Sequence, residues 1–180
     1  TVTLGTSAGT LAFTGGVVAT APSAVTVNGT VTAAGTGVIT LGDSDTGVAI
    51  ASNATIGGTS TGAITLGAAT LVDGATLTVG TGIANTISLS SVTGTAANAT
   101  SHLTINTTGA ATISGAVGTD IGTITITNSG GTTFSSTVDA ATVAITSTSL
   151  NNAVTFNGNL NLTSGMTVGA GAAAYNVAIN

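Results

Sequence analysis

The sequence predicts an all-β chain, and four observations carry that prediction. Charged residues make up 3% of the 180 residues, where about 25% is typical of globular domains. Lys, Arg, Glu and Gln are absent, and these are the residues that usually form the solvent face of an amphipathic helix. Thr, Val and Ile, which are stiff at χ1 and favour strands, are abundant. Finally, short segments that alternate apolar and small polar residues recur from end to end. With 42% apolar residues and little charge, the chain lacks the composition of a disordered segment.

The alternating segments are TVTLG (1–5), AVTVNG (24–29), VITLG (38–42), AITLG (63–67), TLTVG (76–80) and TISLS (86–90). They continue as HLTIN (102–106), TITIT (123–127), TVAIT (142–146), AVTFNG (153–158) and YNVAIN (175–180). A period of two marks a strand with one buried face. Gly, Asn, Asp or Ser follows most of them and supplies turn chemistry. The single proline, Pro22, lies between two such segments.

A longer period lies over the strands. Leu4 to Val27 spans 23 residues, Leu41 to Leu66 25, Leu66 to Leu89 23, Ile105 to Ile126 21, Ile126 to Ile145 19 and Phe156 to Ile179 23. Such a repeat of strands and tight turns predicts a parallel β-solenoid with coils of about 20 residues. The clearest coils are 103–122, 123–141 and 142–159. Nine coils stacked at about 4.8 Å would make a rod of about 43 Å. The alternative is an antiparallel β-sandwich of the pilin-like kind, which strands at this spacing also fit. On either reading residues 1–180 form a single β-rich domain, whole or as a segment of a longer repetitive protein.

TITITNSGGTTFSSTVDAATVAIT (123–146) and AVTFNGNLNLTSGMTVG (153–169) resemble passages of the filamentous-haemagglutinin-like and autotransporter-passenger exoproteins of bacteria. The resemblance covers most of the chain and is one of rhythm and composition, without a diagnostic motif. It implies a right-handed parallel β-helix in a secreted rod used for adhesion, surface coating or filament building. It assigns no functional residue.

Few residues offer chemistry. In LGDSDTG (41–47), Asp43 and Asp45 with Gly47 resemble half of a calcium loop, but no third carboxylate or closing Glu follows. This pair is the weak metal candidate, against a plain polar turn. On one strand face its Cα atoms would be about 6.8 Å apart, a separation that an inverting glycosidase could use. His102 is the sole histidine, so one chain cannot build a multi-histidine metal site. A Ser-His-Asp set drawn from His102 and Asp120 lacks a supporting G-x-S-x-G elbow. N-x-[ST] sequons stand at Asn28, Asn53, Asn98, Asn106 and Asn161, about as many as chance gives, so glycosylation is open. Repeated T-x-T pairs raise an ice-binding solenoid as an alternative function, one that needs threonine ranks in register and therefore a steady coil length.

Composition also excludes partners. Without Lys or Arg the chain is poorly suited to nucleic-acid phosphates or anionic lipid, and no Walker loop can form. Zero Cys removes disulfides and thiolate sites. No apolar run approaches the roughly 18 residues of a spanning helix, and 2% aromatics do not supply the girdles of an outer-membrane barrel. The stretch opens at Thr1 with no basic n-region and no apolar h-region, so any signal peptide is expected to have been removed or to lie outside it. A β-helical polysaccharide-active enzyme is the remaining enzymatic alternative, disfavoured by the missing basic groups. The expected function is therefore structural: a non-enzymatic, cofactor-free building block of an extracellular filament, sheath or adhesive rod. Its expected partners are other copies of itself, with a host surface or glycans as further candidates.

Overall fold

The computed structural model describes residues 1–6, 9–21, 23–118, 120–149, 151–171 and 174–180. Pro22 lies outside the described residues. Among these residues there are strands and no helix, and every strand ladder is parallel. The antiparallel sandwich is thereby excluded. The chain winds into a β-solenoid of eight coils with three faces.

Coil 1 carries β1 (Val2–Leu4), β2 (Thr10–Phe13) and β3 (Gly16–Ala19), one strand for each face. Coil 2 follows with β4 (Val25–Val27), β5 (Thr30–Ala33) and β6 (Val38–Leu41), and coil 3 with β7 (Val48–Ile50), β8 (Ala54–Gly58) and β9 (Ile64–Leu66). Coil 4 has β10 (Ala69–Leu71), β11 (Thr76–Val79) and β12 (Ile87–Leu89); coil 5 has β13 (Val92–Gly94), β14 (Ser101–Asn106) and β15 (Ala111–Ile113). Coil 6 has β16 (Val117–Gly118), β17 (Ile121–Asn128) and β18 (Thr132–Phe134). In the last two coils a single bulged strand covers the first and second faces. These strands are β19 (Val138–Ile145) and β21 (Leu160–Val168), completed by β20 (Ala153–Phe156) and β22 (Asn176–Ile179) on the third face.

All eleven segments read from the sequence contain strands. Each of the six residue pairs that measured the period is a directly opposed ladder pair, from Leu4↔Val27 to Phe156↔Ile179. The coil length differs from the expected 20. On the first face successive partners run Val2, Val25, Val48, Ala69 and Val92, steps of 21 or 23 residues. The three coils chosen as clearest include the tightest step in the molecule, the 19 residues from Ile126 to Ile145, which pulled the sequence value down. Eight coils rather than nine therefore fit, separated by seven steps of about 4.8 Å that span about 34 Å.

Because stacking is in register, like residues fall on like. One inward column of the second face reads Leu11, Val31, Ile56, Val79, Ile105, Ile126, Ile145 and Val168. On the third face Ala19, Leu41, Leu66, Leu89, Ile113, Phe134, Phe156 and Ile179 stack. Within it the Phe134 and Phe156 rings lie parallel, 4.9 Å between centroids.

At the bend leading into the third face the core turns polar. Ser60, Asn85, Thr107 and Ser129 are all buried there. Asn85 Nδ2 donates to the carbonyls of Ser60 and Gly62, each at 2.7 Å. Thr107 Oγ1 donates to the carbonyls of Ile83 and Asn85 at 2.8 and 2.6 Å. The bend thus satisfies the backbone carbonyls that leave the ladder there, as buried polar groups require.

Outward positions are held in register as well, against the expectation that drifting coil length would scatter them. The bends absorb every insertion, as in the 26-residue step from Leu77 to Leu103, and the strands resume opposite their partners. The central test of this packing is a pair of adjacent positions. Leu103 is fully buried between Leu77 and Ile124, so Leu103→Ala should cost about 2–5 kcal/mol in denaturant unfolding. The neighbouring outward Thr104→Ala should stay within about 0.5 kcal/mol.

Candidate functional site

The polar side chains that sequence reading treated one by one come together along the bend between the first and second faces. Asn28 and Asn53 occupy it in coils 2 and 3, Asp73 in coil 4, Asn98 in coil 5 and Asp120 in coil 6. Asp139 and Asn161 stand just before it in coils 7 and 8, opposed in the ladder.

These groups bond mainly across coils, although within the 95–100 bend Thr100 Oγ1 also approaches Asn98 Oδ1 at a hydrogen-bonding 2.8 Å. Ser52 Oγ donates to Asn28 Oδ1 at 2.7 Å, and the Thr76 amide donates to Asn53 Oδ1 at 2.8 Å. Asn161 Nδ2 donates to Asp139 Oδ1 at 2.6 Å. The widest bend, 95–100, is gripped from both sides. From the coil before it, Asp73 accepts from the Thr100 hydroxyl and from Asn98 Nδ2. From the coil after it, Asp120 Oδ1 accepts the amides of Asn98 and Thr100 at 3.0 and 3.2 Å, and Oδ2 accepts Ser101 Oγ at 3.0 Å.

Asp120 is buried and sits at φ +69°, a left-handed conformation uncommon outside Gly. Its carboxylate fills the place of a side chain at Gly94, where a Cβ would lie 2.5 Å from Oδ2. Burial pushes the Asp120 carboxyl up, but the donors from Thr100, Ser101, Asn98 and Ala99 outweigh it and hold it below the usual carboxylate range. Beside it a groove of about 260 Å³ is lined by Asp120, Asp139, Asn161 and the methyls of Ala97, Ala99 and Ala140. Among the described residues no three His, Asp or Glu side chains gather as metal ligands.

The remaining sequence candidates lie apart. Asp43 and Asp45 occupy the turn between β6 and β7 rather than one strand face, so the strand spacing considered for a glycosidase does not apply to them. Asp43 Oδ1 accepts the amides of Asp45 and Thr46 at 2.9 and 2.8 Å, and the same two donors lower its carboxyl below the ordinary value. This is a side chain closing its own turn. His102 lies outward on β14, where Nδ1 accepts the Thr123 amide at 3.1 Å. Asp120 meets Ser101 and not His102, so the two are not assembled as base and orienting acid. Of the sequons, Asn28, Asn53, Asn98 and Asn161 share the Asx-rich bend, and Asn106 ends β14 at the next one.

What sequence reading missed is the role of Asp120 and of the hydroxyl column at the following bend. The column had a signal, the repeated pattern Ser60-x-Gly62, Thr107-x-Gly109 and Ser129-x-Gly131, in which each hydroxyl accepts the glycine amide two residues on. Comparison of the chain with protein families, with characterised proteins and with solved structures found no match.

The Asx-rich bend has a testable energetic consequence. Because the folded carboxyl of Asp120 titrates below its unfolded value of about 3.9, its stabilisation is full above that pH and is lost as pH falls through the lower folded value. Asp120→Asn should therefore melt at a lower temperature than the parent at pH 7, and the gap should close on acidification to about pH 2. A gap that is constant with pH would show that the charge is not what holds the bend.

Proposed function

We propose that this chain is a structural, non-enzymatic segment of a secreted surface rod that associates end to end into a filament, sheath or adhesive fibre. The observation that carries the reading is the placement of exposed apolar side chains. Of the five large hydrophobics exposed among the described residues, Val168 at 51% and Ile179 at 61% belong to core columns left open at the last coil, while Val18 at 64%, on the first coil, lies in the outward rank opposite Thr40. The strands there, β1, β2, β3, β21 and β22, are hydrogen-bonded on one side only. Unpaired edges of this kind are templates for further strand pairing. A coil of the same geometry, from another copy or from continuing chain, would extend the same columns.

The exterior supports the same reading. It is built from Thr, Ser, Asn, Ala and Gly, and the whole chain carries only five negative charges, so repulsion between copies is weak. The resemblance to bacterial exoproteins points to the same class and to a location outside the cell. Adhesion to a host surface or glycan is the accompanying proposal, and no residue is assigned to it.

Negative-stain microscopy and light scattering test this directly. The chain should form fibres whose growth rises with concentration, and Val168→Lys combined with Ile179→Lys should shift it toward monomer. Val72→Lys, which changes a 42% exposed side chain on the flank of coil 4, should leave assembly intact. A stable monomer at high concentration would contradict the proposal.

A further inference from the structure

The outward side of the second face carries a second feature, independent of the ends. Thr10, Thr30, Thr55, Thr78, Thr104 and Thr125 are direct ladder partners on six consecutive strands. Ala144 and Thr167 continue the rank. Two residues earlier runs a companion rank of Thr76, His102, Thr123 and Thr142. On β11 and β17 both ranks carry threonine, as the T-x-T pairs Thr76/Thr78 and Thr123/Thr125.

The other faces do not repeat this arrangement. On the first face the equivalent rank is Thr3, Thr26, Ala49, Thr70 and Thr93, and it then loses its hydroxyls at Gly118. On the third face Thr40, Thr65, Ser88, Thr112, Thr133 and Thr155 align. That rank stands alone, because the strands β9, β12 and β15 are only three residues long and their outer two residues point inward.

We propose that the second face is an ice-binding surface, whose ligand is the lattice of crystalline water. The two ranks form a grid with a repeat of about 4.8 Å along the rod and about 6.8 Å along each strand. Every threonine offers a methyl and a hydroxyl, and the hydroxyl both donates and accepts, as each oxygen on an ice surface does. The lattice carries no net charge, and the threonines of the ranks carry none. Threonine is restricted at χ1 and the backbone under it is fixed by two ladders, so little conformational entropy is lost on binding. A single hydroxyl-to-water contact is weak, and the inference rests on six of them in line beside a companion rank that the third face lacks.

Nanolitre osmometry of the purified chain, with inspection of ice-crystal shape, tests this. The parent should show thermal hysteresis and faceted crystals. Thr78→Lys with Thr104→Lys should abolish both, while Thr70→Lys with Thr93→Lys on the first face should leave both intact. Thr104→Val, which keeps the branched shape and removes only the hydroxyl, should weaken hysteresis with an unchanged circular dichroism spectrum, so the result stands even if lysine disturbs the sheet. Absence of hysteresis in the parent, or equal loss from the first-face variants, would overturn the proposal. Fibre formation should survive the second-face variants, so this outcome is separable from end-to-end assembly.

Discussion

The structure depends on one constraint: each coil's backbone amides and carbonyls are satisfied by the coils above and below. A strand such as β14 bonds β11 on one side and β17 on the other, and no local hairpin closes any of these bonds. Side chains are then forced into columns, since parallel in-register pairing sets position against equivalent position at about 4.8 Å. The aliphatic columns of the core and the stacked Phe134 and Phe156 rings follow from that geometry, as do the polar columns at the bends.

The same constraint accounts for the missing charge. A charged residue repeated from coil to coil would face its own sign at this spacing, at a cost of about 1 kcal/mol per contact even in bulk water. The Asp residues that do occur are set beside neutral partners. Asn161 lies against Asp139 and Asn98 against Asp73, each amide donating to the carboxylate. Asp120 folds inward over Gly94 instead of stacking. Threonine and serine can repeat without such a cost, and they take over the exterior.

Half of the strands were legible in the sequence, and the division has a physical cause. The legible ones place two large aliphatics on the core side, as in Leu77 and Val79 of β11. Most of the others fill the core with small residues or a single large one, as in Ala54–Gly58 or Val92–Gly94, and alternation of Ala, Gly and Thr gives no strong period; β7, with Val48 and Ile50 both buried, carried the signal and was passed over. The pairing distances read from the sequence were those of the ladders, because Leu4, Leu41 and Ile105 each meet their like in the next coil. Coil number was misjudged because bends of unequal length carry no hydrophobic signal. The Asx-rich bend was legible only as scattered Asn and Asp, since its members are 20–27 residues apart and converge only once the coil length is known.

The account rests on parallel in-register stacking, and the most direct measurement of it uses paired cysteines in a chain that has none of its own. Thr65 and Ser88 are opposed on adjacent third-face strands, so Thr65→Cys with Ser88→Cys should oxidise readily to an intramolecular disulfide. Thr65→Cys with Thr112→Cys spans two coils, about 9.6 Å, beyond the roughly 7 Å limit for a bridge, and should stay reduced. Equal bridging by both pairs, or bridging by the second alone, would contradict the solenoid.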